Sequence, residues 1–253
     1  MEKTKFIIFD LDGVFYKDDE CIEGGSKVIE FLNKSSIDYC FLTNNSNYER
    51  SFYKKRLEKC GVIICESKIF TASMLLKEYV AENFSKNIYV LGSEHLKKTL
   101  YSVLPKSEIN PEVLVLGMDD NITLKEISET INIVTEDTKI IASNPDKLIP
   151  KKDCFYLECG ILIDIFKNFT GKNVKIIGKP SRFAFNYILK KFKLDSSEVI
   201  MVGDTYETDI VGGIKNNLKT VWINSGNSLP KDIDSEKFIK IQKLENLFKL
   251  IKL

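Results

Sequence analysis

Short continuous apolar runs alternate with amphipathic stretches along most of this chain. Phe6–Phe9 is an apolar run stopped by Asp10, the pattern of a strand buried on both faces. Val28, Ile29 and Leu32 then recur at helical spacing and predict a helix over Gly24–Ser36. Tyr39–Leu42 reads as a second strand, followed by the polar string Thr43-Asn44-Asn45-Ser46. Ser51–Cys60 predicts a charged helix closed by Gly61, and Ala72–Phe84 a further helix. Strands at Ile88–Leu91, Val113–Leu116 and Lys139–Ala142 alternate with helices over 93–103 and 123–136. Asn144–Asp153 reads as a loop opened by Asn144-Pro145, and a helix follows over 157–168. The rhythm resumes with a strand at Val174–Ile177, a helix at Ser181–Phe192 and a strand at Glu198–Val202. A helix at Glu207–Asn216, a strand at Thr220–Ile223, the segment Phe238–Ile241 and the amphipathic Leu244–Leu253 complete it. Alternation of this kind predicts an α/β fold, a mainly parallel Rossmann-like sheet with helices on both faces. The middle third carries its own βαβαβ rhythm and reads as an inserted α/β unit over 83–175, between core segments 1–82 and 176–253.

Composition narrows the class. At 253 residues the chain can bury a sizeable core, and at 43% hydrophobic and 29% charged it is neither disordered nor membrane-like. Thirty-seven basic residues nearly cancel 36 acidic ones, which argues against broad electrostatic binding to nucleic acid. Only Arg50, Arg56 and Arg182 are arginines, so bidentate clamps on phosphate are scarce. The single histidine, His95, excludes His-rich metal sites and reads as a surface helix residue. Six cysteines are too few for a disulfide framework in a chain this long; reduced, partly buried thiols are expected. The five-residue offsets of Cys60–Cys65 and Cys154–Cys159 are wide for a zinc half-site. No targeting segment or membrane-length apolar run is visible, so the expected setting is cytoplasmic.

Open parallel sheets carry their sites at the carboxyl ends of strands. There the chain offers Asp10-Leu11-Asp12-Gly13, then Thr43 and Asn44, then Gly178-Lys179-Pro180, then Gly203-Asp204-Thr205 with Asp209 a helical turn on. Taken singly, each string has a plain reading: a strand-to-loop turn, a helix cap, a loop hydroxyl. Their occurrence in order, each after an apolar strand, is what favours a site. A buried carboxylate cluster is costly unless neutralised, and hard oxygen ligands without histidine point to Mg²⁺.

These four strings resemble the four motifs of the haloacid dehalogenase superfamily of phosphatases. Their spacing is similar to its NagD-like, p-nitrophenylphosphatase branch, in which an α/β cap is inserted between the second and third motifs. Tyr89–Glu94, Pro111–Gly117 and Ala142-Ser143-Asn144-Pro145-Asp146 also look like cap strings of that branch. The match departs at Leu157-Glu158-Cys159-Gly160, where the branch carries a glycine-rich string.

The resemblance implies a Mg²⁺-dependent hydrolase of a small phosphomonoester: a nucleotide, a sugar phosphate, phosphoglycolate or similar. Asp10 would be the nucleophile, forming an aspartyl-phosphate, and Asp12 the acid that protonates the leaving group and then activates water. Asp10, the Asp12 carbonyl and Asp204 would hold the metal. Gly13, Thr43, the Asn44 amide and Lys179 would bind phosphoryl oxygens, with Asp209 orienting Lys179 or a water on the cation. Asn144 and Asp146 are the expected substrate-facing cap positions, against the alternative of a loop turn held by Asx bonding. Asp12 argues for ester hydrolysis over dehalogenation. A phosphotransferase or phosphomutase, a metal-dependent glycosyltransferase and a non-catalytic phosphate binder are the competing readings. A homodimer is a family-level expectation.

Overall fold

In the computed structural model, which describes residues 4–150, 154–225, 229–230 and 235–251, the chain divides into two compact units. Unit 1 comprises 1–43, 50–70 and 179–253, and unit 2 comprises 44–49 and 71–178.

In chain order the first elements are β1 (Phe6–Phe9), the short strands β2 (Tyr16–Lys17) and β3 (Glu20–Cys21), α1 (Gly25–Asn33), β4 (Asp38–Thr43), α2 (Arg50–Lys59) and β5 (Ile69–Thr71). Then come α3 (Ala72–Asn83), β6 (Ile88–Leu91), α4 (Glu94–Tyr101), β7 (Val113–Leu116), α5 (Leu124–Asn132) and β8 (Lys139–Ala142). The strands β9 (Leu148–Pro150) and β10 (Phe155–Leu157), α6 (Cys159–Thr170) and β11 (Val174–Ile176) follow. The last group is α7 (Arg182–Phe192), β12 (Val199–Gly203), α8 (Val211–Lys215), β13 (Lys219–Ile223), β14 (Ile239–Ile241) and α9 (Leu247–Ile251).

Unit 1 is built on a six-stranded sheet in the order β14-β13-β12-β1-β4-β5. β1 pairs in parallel with both β12 and β4, Phe9 lying opposite Val202 and Phe41. Its four residues are all buried, as an apolar run without alternation requires. Strand order runs outward in opposite directions from β1 and β12, so the topological switch point, where α/β sheets bind ligands, lies at the carboxyl ends of that pair. Immediately before this point the Phe9 ring packs against Phe15, Tyr39 and Phe41, with centroids 5.3, 6.5 and 6.0 Å away.

Unit 2 has a parallel four-stranded sheet, β11-β8-β7-β6, and the antiparallel hairpin β9–β10. Its core gathers Leu114, Leu116, Ile140, Leu162 and Phe166. Its helices start where side chains satisfy the first N–H groups: Thr71 caps α3, Ser93 caps α4, and Thr123 with Glu126 forms a capping box on α5.

The structure departs from the sequence reading in several places. The loop expected at 144–153 contains β9, an edge strand, where proline is tolerated; residues 151–153 lie outside the described residues. The expected 157–168 helix is α6, starting at Cys159 with Glu158 as its cap. The single helix expected over 207–216 is a π-helical turn, Tyr206–Ile210, followed by the short α8. The boundary expected at 82/83 leaves α3 on the core side, whereas its contacts group it with unit 2. The expectation of reduced thiols also needs correction. Cys21 and Cys60 are joined by a disulfide, while Cys40, Cys65, Cys154 and Cys159 are free. Their separation of 39 residues hid the pairing, because connectivity depends on which loops fold together.

Candidate active site

Asp10, Thr43 and Asp204 sit where strands of unit 1 run out, whereas Lys179 follows β11 of the other sheet and Asp209 lies in the Tyr206–Ile210 turn. Asp10 follows β1 and its backbone N–H donates to the Val202 carbonyl at 2.9 Å, continuing the ladder one residue past the strand. Thr43 ends β4 and is buried. Gly203 ends β12, so Asp204 leaves the sheet beside Asp10.

Lys179 joins these pieces. It is 1% exposed, and its Nζ lies 2.7 Å from Asp10 Oδ1 and 2.7 Å from Asp209 Oδ1. Asp209 is fully buried, and its Oδ2 accepts the Thr205 N–H at 3.1 Å. The turn closes on itself here, since the Asp209 N–H donates to the Thr205 carbonyl at 2.9 Å, and a π-type bond from the Val211 N–H to the Tyr206 carbonyl follows. Gly203 makes room for the Asp209 carboxylate: a Cβ there would lie 2.1 Å from Asp209 Oδ2.

Asp204 is held on three sides. Its Oδ2 accepts Ser225 Oγ at 2.6 Å, its Oδ1 accepts Thr205 Oγ1 at 3.2 Å, and its carbonyl accepts Trp222 Nε1 at 2.7 Å. Ser225 lies outside the four strings the sequence singles out; its signal is its place just past the end of β13. Gly13 has φ +75, and a Cβ there would fall 1.9 Å from Asp204 Oδ2, so the Asp12-Gly13 backbone presses directly on this carboxylate.

Carboxylate oxygens of Asp10, Asp204 and Asp209 lie within 4.8 Å of one another. Three acids face one ammonium in a buried space. Burial and the charge of Asp10 push Asp204 up to about 6. Burial is also the main cause pushing Asp209 upward, opposed by Lys179. Burial disfavours the charged lysine, yet Asp10 and Asp209 outweigh it and hold Lys179 above its ordinary range. The excess negative charge and hard oxygen donors suit a divalent cation, so the donor set fits one. The Asp12 carboxylate is outside this group: its Oδ1 lies 3.6 Å from Arg56 Nη1.

The remaining expected residues belong to unit 2. Asn44 Nδ2 donates to Asp146 Oδ2 at 3.0 Å, and Asn144 Nδ2 donates to the Asn44 carbonyl at 3.1 Å. Asn144 Oδ1 accepts the Asp146 N–H at 3.0 Å, which is the Asx turn named as the alternative for this string. The buried Glu158 lies close by, and burial raises its carboxyl to about 7. His95, expected at the surface, is partly buried with Nε2 3.3 Å from Ser73 Oγ.

Known proteins resemble this chain in sequence and in fold. Residues 7–103 match the model of haloacid dehalogenase-like hydrolases, and 176–245 match a second model of hydrolases of that type. An acid sugar phosphatase of Staphylococcus epidermidis is 30% identical over 240 residues, 94% of this chain and 93% of that protein. Among solved structures, a 4-nitrophenylphosphatase from Thermotoga maritima superposes with a TM-score of 0.90 at 26% identity, covering 98% of this chain and 97% of that one. NagD from E. coli superposes at 0.85, with 26% identity, 94% of this chain and 96% of that one. The chain belongs to the haloacid dehalogenase-like hydrolases and is a phosphatase of their NagD-like branch.

Proposed function

We propose that the chain hydrolyses a small phosphomonoester by double displacement through Asp10. The observation that carries this reading is the buried Lys179 bridge, 2.7 Å to Asp10 and 2.7 Å to Asp209, at the switch point of the sheet. Lys179 fixes the Asp10 carboxylate and offers positive charge to an incoming phosphoryl group, whose transition state spreads charge over its equatorial oxygens. Asp10 attacks phosphorus and takes the phosphoryl group while the ester oxygen leaves. Asp12, two residues on, hands its proton to that oxygen, then takes a proton from the water that releases phosphate. The Thr43 hydroxyl, the peptide N–H of Asn44 and the Gly13 backbone bind phosphoryl oxygens, and Asp209 keeps Lys179 aimed at Asp10.

Asp10, Asp204 and the Asp12 carbonyl are the groups that would hold Mg²⁺, which when bound supplies charge neutralisation between the anionic nucleophile and the anionic substrate. The inserted segment is read as the unit that selects the substrate, with the site itself belonging to the cytoplasmic, soluble chemistry of small metabolites. The relatives' names, an acid sugar phosphatase and a 4-nitrophenylphosphatase, make hexose phosphates and p-nitrophenyl phosphate the first substrates to assay. The test is phosphate release from that pair with and without Mg²⁺, for the native chain and for Asp10→Asn. Activity that needs both Mg²⁺ and Asp10 supports the reading; near-native turnover by pure Asp10→Asn protein sinks it.

A further inference from the structure

Arg56 on α2 plays no part in the site so far, yet it is tied to it at three points. Its guanidinium lies over the Tyr16 ring, with Cζ 3.8 Å from the centroid. It donates through Nη2 to the Asp18 carbonyl, and its Nη1 lies 3.6 Å from Asp12 Oδ1. The arginine side chain is 21% exposed and that of Asp12 54%, so the guanidinium is partly shielded while the carboxylate it faces stays open to incoming substrate. Tyr16 in turn accepts the Gly13 N–H on its carbonyl at 2.8 Å, and pairs with Asp12 in a backbone bridge. One side chain therefore grips both the carboxylate of Asp12 and the segment that carries it.

A second attachment lies just past the end of α2. Cys60, four residues after Arg56, is bonded to Cys21, which pairs with Tyr16 across the β2–β3 hairpin. Arg56 and the disulfide thus fasten both strands of the hairpin that follows Asp12 to α2 and the residue after it. Lysine could not replace the arginine in this arrangement. Its ammonium is a point charge, without the planar fork that covers the Tyr16 ring, donates to the Asp18 carbonyl and keeps its charge beside Asp12.

We propose that Arg56 is a positioning residue for Asp12: it holds the carboxylate that protonates the leaving group. This rests on the acid role of Asp12 given above, and the two can fail separately. A misplaced acid hurts most where the leaving group most needs a proton. Loss of Arg56 should therefore scale with leaving-group basicity, whereas a merely structural loss would fall on all substrates alike.

The experiment measures kcat/KM, which reports phosphoryl transfer to Asp10, over dinitrophenyl, p-nitrophenyl, phenyl and glycerol phosphates. Native protein, Arg56→Gln, Arg56→Lys and Asp12→Asn are compared, with thermal melts to confirm folding and thiol alkylation to confirm that Cys21–Cys60 stays bonded. For Arg56→Gln we expect about a tenfold or greater loss on glycerol phosphate and under about threefold on dinitrophenyl phosphate, since small misplacements of a reacting group cost up to about 10²-fold. Arg56→Lys should fall between, folding normally, and Asp12→Asn should show the same trend more steeply. Equal losses across the panel for both Arg56 variants, beside a sloping Asp12→Asn series, would overturn the proposal. A flat Asp12→Asn series would instead overturn the acid role of Asp12, and the Arg56 role with it.

Discussion

Replacing Lys179 with methionine removes the charge and keeps much of the volume. In the native chain Nζ faces two carboxylate oxygens at 2.7 Å, and both Lys179 and Asp209 are essentially inaccessible. At an effective dielectric of about 20 each such contact is worth about 6 kcal/mol before desolvation. Burying the charges cancels much of that, and breaking one member of a buried pair costs about 3–5 kcal/mol in practice. For a chain of this size that is a fall of roughly 6–20 °C in Tm. The penalty depends on pH. Asp204 and Asp209 both have folded-state values raised above the ordinary carboxylate value. Such groups favour the fold when protonated, so the stability they contribute is greatest below the unfolded pKa and lost as pH rises through the folded one. Without the lysine that loss deepens, and Lys179→Met should be hurt more at pH 8 than at pH 5. Adding Asp209→Asn should recover part of the stability, since one uncompensated charge is gone, without restoring activity. Urea unfolding at both pH values, read beside phosphatase assays, decides it. A loss under about 1 kcal/mol at pH 8, against the range for broken buried pairs, or the same loss at both pH values, would refute the reasoning.

Three further outcomes follow from the geometry. In chelator-treated protein, Mg²⁺ should raise Tm more at pH 7.5 than at pH 5, because burial holds Asp204 at about 6 and its proton competes with the cation; a thermal-shift titration at both pH values checks this. Gly13→Ala should abolish phosphatase activity, since its Cβ would fall 1.9 Å from Asp204 Oδ2 at a positive φ; steady-state kinetics on folded variant protein is the measurement. Alkylation of the unreduced, denatured chain should modify Cys40, Cys65, Cys154 and Cys159 and leave Cys21 and Cys60 untouched. Replacing that pair with serines should cost about 3–4 kcal/mol by loop-closure entropy.

The strands that bear the site were legible because they are buried on both faces. Runs such as Phe6–Phe9 and Val199–Val202 leave little choice but a parallel sheet, and their carboxyl ends then point to Asp10 and Asp204. The β2–β3 hairpin was not legible: Lys17-Asp18-Asp19-Glu20 has no apolar alternation, and tertiary contacts to α2 hold it in place. Asp209 was recognised from its string, but its aim at Lys179 depends on a π-helical turn that helical periodicity does not reveal. Ser225 and Arg56 were missed for a common reason. Each acts on a carboxylate far away in sequence, and neither lies in a motif. In unit 2, Asn144 and Asp146 were read as substrate-facing or as a loop turn held by Asx bonding, and the bonds they make, to Asn44 and to each other, are those of the turn.

The central claim is that Asp10 carries the phosphoryl group. Acid quenching during turnover, followed by borohydride reduction and peptide mass spectrometry, tests it directly, because an acyl phosphate on aspartate is reduced to homoserine. The account predicts homoserine at position 10, absent without substrate and absent in Asp10→Asn. Phosphate release with inversion at phosphorus, and unmodified aspartate at position 10 throughout, would contradict it.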